Sequence, residues 1–216
     1  MNNINTVVFD MDGTVLDTLD DLTDSVNHVL RLFNMPPRTR EEYRRFFGNG
    51  IRYSISCAVP KGTPDSTIDE MQPVFREYYD IHCLDNTRPY EGILDLMKAL
   101  KEAGYKMAIV SNKIDSAVKE LNQRFFSDYV DVAIGERPGV RRKPAADMVF
   151  EALKELGSDR SEAVYVGDSE VDLQTAENSG LPCISVLWGF RDRAFLEEKG
   201  ASAIAKTPLD IISILS

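Results

Sequence analysis

The pattern of apolar and polar positions divides the chain into two parts with different periodicities. Residues 4–9 form a short apolar run with two adjacent valines, which predicts a buried strand. Between residues 17 and 87, apolar residues instead recur at helical spacing, with no strand-like stretch among them. The predicted helices cover 20–33, 39–46, 51–59 and 66–83. This run of helices predicts a small helical domain inserted after the first strand.

After residue 88 the pattern becomes an alternation of short apolar strands with amphipathic helices. The predicted strands cover 106–110, 130–134, 163–166 and 183–187. The predicted helices cover 93–103, 116–126, 144–156, 172–178, 192–199 and 209–215. Such alternation is typical of a parallel sheet with helices on both faces. We therefore predict an α/β fold, a Rossmann-like doubly wound parallel sheet formed by residues 1–16 and 88–216, with residues 17–87 as an inserted four-helix domain.

Composition narrows the class of protein. The 216 residues carry a net charge of −10, which argues against nucleic acid or an anionic membrane as a partner. No apolar run approaches the ~20 residues of a membrane helix, and the amino terminus lacks a basic and apolar leader. The three cysteines are far apart and lie among apolar neighbours, which favours buried free thiols. We expect a cytoplasmic protein, monomeric or homodimeric.

Polar side chains follow several of the predicted strands at the point where each strand ends. Asp10 and Asp12 come directly after the first strand, one residue apart. Later strand ends are followed, or nearly so, by Ser111, Asn112, Lys143, Asp168, Ser169 and Asp172. Each could separately be a turn, a helix cap or a solvated basic residue. Because ligands of open α/β sheets bind beyond the carboxyl ends of the strands, their joint occurrence favours one site.

These residue types can build a phosphate site. Adjacent carboxylates repel one another, so the pair needs a cation or a proton. Asp10 and Asp168 offer the oxygen ligands that Mg²⁺ prefers, and Asp12 can add its backbone carbonyl while its side chain transfers protons. Lys143 would keep Asp10 ionised and neutralise phosphoryl charge. The hydroxyls of Thr14 and Ser111 and the amide of Asn112 can bind phosphate oxygens, and Asp172 would orient Lys143, with Ser169 beside it.

Four of these segments together resemble the ordered motifs of the haloacid dehalogenase superfamily. The segments are DMDGT at 10–14, SN at 111–112, KP at 143–144 and GDSEVD at 167–172. The helical insert resembles the small mobile cap of the subgroup with a four-helix C1 cap. Within the superfamily, GNG at 48–50 and WGFRDRAFLEEKGA at 188–201 look most like phosphoglycolate phosphatases.

The resemblance implies a role for each matching residue. Asp10 would be the nucleophile that forms an aspartyl phosphate, and Asp12 would protonate the leaving alcohol and then activate water. Asp10, Asp12 and Asp168 would hold Mg²⁺, while Ser111 and Lys143 would bind phosphate. The cap would close over the site and select the substrate.

The predicted function is a Mg²⁺-dependent phosphomonoester hydrolase acting on a small phosphorylated metabolite similar to phosphoglycolate. Arg52, which follows the GNG loop, is a candidate for binding a substrate carboxylate, and a solvated helix-face arginine is the alternative. A sugar-phosphate mutase similar to β-phosphoglucomutase and a pyrophosphatase stay open as neighbouring functions. A signalling receiver domain also uses a phosphorylated aspartate, but an acid–base group such as Asp12 would shorten the life of its signal. Intact Asp10, Asp12, Lys143 and Asp168 argue against a binding protein that has lost its chemistry.

Overall fold

The computed structural model describes residues 3–216, which form two compact units. The α/β unit contains the residues up to Leu16 together with Pro89–Ser216, and the helical unit is Asp17–Arg88. The strands are β1 (Thr6–Phe9), β2 (Leu16–Asp17), β3 (Arg88–Pro89), β4 (Lys106–Ile114), β5 (Val132–Glu136), β6 (Ala163–Gly167), β7 (Cys183–Val186) and β8 (Ala203–Ala205). The helices are α1 (Leu19–Leu32), α2 (Arg40–Phe46), α3 (Ile51–Ala58), α4 (Asp65–His82), α5 (Ile93–Glu102), α6 (Asp115–Phe125), α7 (Asp147–Leu156), α8 (Glu170–Ser179), α9 (Arg193–Glu198) and α10 (Asp210–Leu215).

A parallel six-stranded sheet with the order β5-β4-β1-β6-β7-β8 organises the α/β unit. Every residue of β1 is buried, as expected for a central parallel strand covered on both faces. On one face Val8 lies in the core with Val110 of β4, Tyr165 of β6 and Met148 of α7. Burial of each such apolar side chain contributes about 1.5–3 kcal/mol. The predicted α/β fold is confirmed, and the central position of β1 places the residues that follow it in the middle of the sheet edge.

A buried carboxylate links the two ends of the helical unit. Asp21, in the first turn of α1, is 2% exposed. Its oxygens accept hydrogen bonds from the backbone amide of Asn86 at 2.9 Å and that of Thr87 at 2.8 Å. The strands β2 and β3, at the points where the chain enters and leaves this unit, pair as a two-stranded sheet. The entry and the exit of the helical unit are therefore held side by side.

Some element boundaries differ from the sequence predictions. Strand β4 continues to Ile114, so Ser111 and Asn112 lie on the strand rather than after it. Helix α7 begins at Asp147, not at residue 144. Helix α8 begins at Glu170 with Ser169 as its N-cap residue, which puts Asp172 inside the first turn. The short strands β2, β3 and β8 were absent from the prediction because two or three residues are too few to show a period.

Candidate active site

Three carboxylates meet at the carboxyl end of the central strands. Asp10 directly follows β1, Asp168 directly follows β6, and Asp172 lies in the first turn of α8. One oxygen from each of the three lies within 4.8 Å of the others. All three residues are buried, and Asp168 and Asp172 are each only 1% exposed. The arrangement concentrates negative charge where water screens it poorly.

Lys143 supplies the positive charge within this cluster. Its Nζ donates to Asp10 Oδ1 at 2.6 Å, to Asp172 Oδ1 at 2.8 Å and to the Tyr165 hydroxyl at 3.1 Å. Burial alone would lower the pKa of Lys143, but the two carboxylates outweigh it and raise that pKa above its ordinary value. The lysine is therefore held as a cation against the predicted nucleophile.

Asp172 acts as the support for Lys143. Its second oxygen, Oδ2, accepts hydrogen bonds from the Ser169 hydroxyl at 2.7 Å and from the backbone amides of Ser169 at 3.1 Å and Asp168 at 3.2 Å. Burial raises the pKa of Asp172, but Lys143 and these donors reverse the effect and lower it. One oxygen of Asp172 thus holds Lys143 and the other holds the start of α8, so its main part is support, although its position would also allow metal ligation.

The charge balance of the cluster suits a divalent cation. Burial, followed by the charge of Asp172, raises the pKa of Asp10 well above its ordinary value and that of Asp168 to about 7. Lys143 lowers both pKa values, but by less. Three buried carboxylates thus share one ammonium group among the described residues of the cluster. A hard cation with oxygen ligands would offset this repulsion and lower both pKa values. Asp10 and Asp168 are the residues that fit such an ion.

The loop after β1 is shaped around Asp168. Gly13 has a φ of +86°, and a Cβ placed on it would lie 2.5 Å from Asp168 Oδ2. Both the backbone angle and the lack of space therefore require glycine. The Thr14 hydroxyl donates to Asp168 Oδ1 at 3.3 Å, and the amide of Phe190 donates to Oδ2 at 2.6 Å. Thr14 thus contacts this carboxylate, and its role as a phosphate ligand stays a prediction.

Asp12 has two oxygens in different surroundings. Its Oδ2 accepts from the Ser111 hydroxyl at 3.3 Å. Its Oδ1 is buried and lies 3.0 Å from Lys113 Nζ as an ion pair. Asn112 points its side-chain amide to the Lys143 carbonyl at 3.1 Å. The Asp12 carboxylate can therefore accept a proton from an incoming group or donate one to it.

Arg52 lies in the helical unit and is engaged there. Its Nε donates to Asp69 at 2.8 Å and its terminal nitrogen donates to Asp65 at 3.1 Å. Two carboxylates therefore surround one guanidinium group, whose pKa they raise, chiefly through the bond to Asp69. The predicted role of Arg52 in binding a substrate carboxylate stays a prediction.

Three residues of the site were absent from the sequence prediction. Tyr165 contacts both Lys143 and Asp172 through its hydroxyl, the Phe190 amide holds Asp168, and Lys113 pairs with Asp12. The roles of Tyr165 and Phe190 could not be predicted from the sequence, because Tyr165 lies within an apolar strand and Phe190 within a loop. Lys113 could have been found, because Ser111 and Lys113 are two apart on a strand and so share one side.

Fold and site together define an α/β enzyme whose buried carboxylates and lysine face one point at the sheet edge. The chain belongs to the haloacid dehalogenase-like hydrolase family, whose model matches residues 7–186. The family resemblance of the four motifs is therefore confirmed, and the signalling receiver class is excluded.

Relatives cover nearly the whole chain. A phosphoglycolate phosphatase of Mesorhizobium japonicum is 30% identical over 92% of this chain and 89% of its own length. The pyrophosphatase PpaX of Bacillus pumilus is 31% identical over 99% of this chain and 97% of its own. A solved structure of a candidate phosphoglycolate phosphatase from Lactobacillus delbrueckii subsp. bulgaricus has 38% identity and a TM-score of 0.94, covering 99% and 98% of the two chains. Within residues 3–216, no helix is both long and apolar enough to span a membrane.

Proposed function

We propose that this protein is a Mg²⁺-dependent phosphomonoester hydrolase that acts on a small phosphorylated metabolite similar to phosphoglycolate. The observation that carries the proposal is the contact of Lys143 Nζ with Asp10 Oδ1 at 2.6 Å, deep in an acidic cluster. This contact places a carboxylate beside a positive charge, the pairing that attack on a phosphate dianion requires once the carboxylate is ionised. The relatives named phosphoglycolate phosphatase support the substrate class.

The first step transfers the phosphoryl group to the protein. A carboxylate oxygen of Asp10 forms a bond to phosphorus while the bond to the leaving alcohol breaks. Asp12 donates a proton to the leaving oxygen, which departs as the alcohol. Lys143, Ser111 and the amide of Asn112 bind the phosphoryl oxygens and neutralise their charge. The carboxylates of Asp10 and Asp168 and the carbonyl of Asp12 would hold Mg²⁺, which would supply electrostatic stabilisation of phosphoryl charge.

The second step returns the nucleophile. Asp12, now ionised, removes a proton from a water molecule that attacks phosphorus, and the bond to Asp10 breaks. Inorganic phosphate leaves and Asp10 is again a carboxylate. The same residue serves as acid and then as base because the first step leaves it deprotonated.

The division of labour between the units is part of the proposal. Residues 1–16 and 88–216 serve as the catalytic domain, and residues 17–87 serve as the cap domain that the family resemblance implies. Arg52 is the candidate for substrate recognition in that cap. Replacing it by alanine should raise KM for phosphoglycolate more than for an aryl phosphate, and equal effects would remove it from substrate recognition.

Phosphate release from a panel of metabolites, with and without Mg²⁺, tests the proposal. The panel contains phosphoglycolate, hexose phosphates, nucleotides and pyrophosphate. We expect metal-dependent release with preference for a small substrate, and a loss of at least about a thousandfold in Asp10→Asn. Near-normal turnover by Asp10→Asn on an aryl phosphate would contradict the mechanism. Pyrophosphate is the second candidate substrate, favoured by the similarity to the pyrophosphatase of Bacillus pumilus.

A further inference from the structure

Lys113 is a second buried cation of the site, on the side of the proton donor. Its side chain is 6% exposed, and its Nζ lies 3.0 Å from Asp12 Oδ1. Its backbone amide donates to the Ser111 hydroxyl at 3.1 Å, and that hydroxyl donates to the other Asp12 oxygen. Serine and lysine thus stand on one side of β4, with Asp12 between them. Lys143, by contrast, contacts the nucleophile and Asp172.

The position of Asp12 fixes which part of a substrate Lys113 is near. A general acid must lie within hydrogen-bond distance of the leaving oxygen, at about 2.8 Å. An ammonium group that pairs with this acid is therefore within about 6 Å of the leaving oxygen. The leaving group is bonded to that oxygen, so its first atoms lie at a comparable distance from Lys113.

The remaining charges strengthen this assignment. The protein carries a net charge of −10, so an anionic leaving group needs a local cation. Lys143 pairs with Asp10 and Asp172, Arg52 pairs with two carboxylates of the helical unit, and Lys113 pairs with Asp12, the proposed proton donor. Lys113 lies beside the acid, inside the α/β unit itself. It is placed to act on the leaving group.

We propose that Lys113 is a specificity-determining residue that favours substrates whose leaving group carries a negative charge next to the scissile oxygen. This inference rests on the proposed phosphatase function and narrows its substrate class. The class contains short phosphomonoesters with a carboxylate one carbon away, and pyrophosphate, whose leaving group is itself a phosphate. The attraction acts through charge, so a shorter or longer cation at position 113 changes its strength without removing it.

A purely structural role for Lys113 makes a different prediction. If the lysine only positions Asp12, its loss weakens proton donation to every alkyl leaving group alike. If it also attracts the leaving group, its loss weakens charged substrates more than neutral ones. The ratio of two specificity constants therefore separates the two roles, whatever happens to each constant alone.

The experiment compares phosphoglycolate with ethyl phosphate, which has the same O–C–C chain and no carboxylate. Both are assayed with saturating Mg²⁺ on the full-length wild type, Lys113→Met, Lys113→Gln and Lys113→Arg. Lys98→Met, a change of an exposed lysine on α5, is the matched control. We expect the ratio of kcat/KM values to fall about tenfold or more in the two neutral variants, mainly through KM for phosphoglycolate. Lys113→Arg should recover part of the ratio, and Lys98→Met should keep it.

The contrary results are distinct. An unchanged ratio in Lys113→Met and Lys113→Gln, with both substrates slowed alike, overturns the assignment and leaves Lys113 a support for Asp12. A wild type that hydrolyses both substrates equally well overturns it without any variant, and leaves the phosphatase function standing. A wild type that releases phosphate from no substrate of the panel overturns the proposed function, and the inference falls with it.

Discussion

The Lys143 ammonium lies 2.8 Å from the Asp172 carboxylate, with both side chains almost fully buried at 3% and 1% exposure. Because both side chains are buried, salt and water screen the pair little. The contact has the form of a buried ion pair whose removal leaves the other charge uncompensated. It ties the stability of the α/β unit to the placement of the predicted nucleophile.

Replacing Asp172 by asparagine should both destabilise the protein and slow turnover. The change leaves Lys143 with one carboxylate fewer and should lower the free energy of unfolding by about 3 kcal/mol. Urea denaturation and phosphate release measure the two effects. Asp147→Asn breaks the exposed pair with Arg141 and should change both properties little. Equal stability of the two variants would contradict the importance assigned to burial.

Replacing Asp168 by asparagine should stabilise the metal-free protein while removing its response to Mg²⁺. Burial and Asp172 raise the pKa of Asp168 to about 7. Ionising this carboxylate therefore costs more in the folded than in the unfolded state, so at pH 8 it lowers the free energy of unfolding. An asparagine oxygen can still accept from the Phe190 amide. Thermal melts in EDTA and in Mg²⁺ test this: the melting temperature should rise in EDTA and no longer increase with Mg²⁺. A normal Mg²⁺ response would remove Asp168 from the metal site.

The role of Asp12 as proton donor predicts a dependence on the leaving group. Asp12→Asn should lower kcat/KM for an alkyl phosphate by about a hundredfold or more, because an alkoxide is a poor leaving group. The loss with p-nitrophenyl phosphate should be smaller, since nitrophenolate leaves without a proton. Steady-state kinetics on the two substrates measure this difference. Identical losses on both would show that Asp12 does not protonate the leaving oxygen.

Gly13→Ala should disrupt the proposed metal site, because the new side chain lacks space and the backbone angle disfavours it. Its new Cβ would lie 2.5 Å from Asp168 Oδ2, and φ at this position is +86°. Gly104→Ala is the matched control, since its φ is +83° and nothing lies within 4 Å. The control should lose about 1 kcal/mol of stability and keep its Mg²⁺-dependent activity. Gly13→Ala should lose more stability and most of that activity, and parallel behaviour of the two variants would contradict the steric argument.

The fold and much of the site could be predicted from the sequence because both follow from strand ends. Apolar runs such as 7–9 mark the parallel strands, and a carboxylate directly after a strand must lie at the ligand-binding edge. The pairing of Asp172 with Lys143 was also predicted, since charge requires a partner for a lysine in an acidic site. Such inferences need only the order of residues and the topology of the sheet.

The remainder depended on geometry that the order of residues does not contain. The contact of the Thr14 hydroxyl with Asp168, which the turn at Gly13 makes possible, was not predicted. Arg52 was considered as a substrate ligand, but its pairing with Asp65 and Asp69 of the next helix could not be read from the sequence. Turns and partners distant in the chain determine where a side chain points, and the local pattern of apolar and polar residues predicts neither.

The hydrogen bonds that the amides of Asn86 and Thr87 donate to Asp21 bear on how the helical insert could vary during evolution. Because these bonds join residues near its own two ends, the helical unit is a compact segment whose entry and exit are held together. Segments of other lengths whose ends are joined in the same way could replace it without altering the register of any strand. Substrate range could thus diversify by exchange of this segment, while the catalytic strands stay as they are.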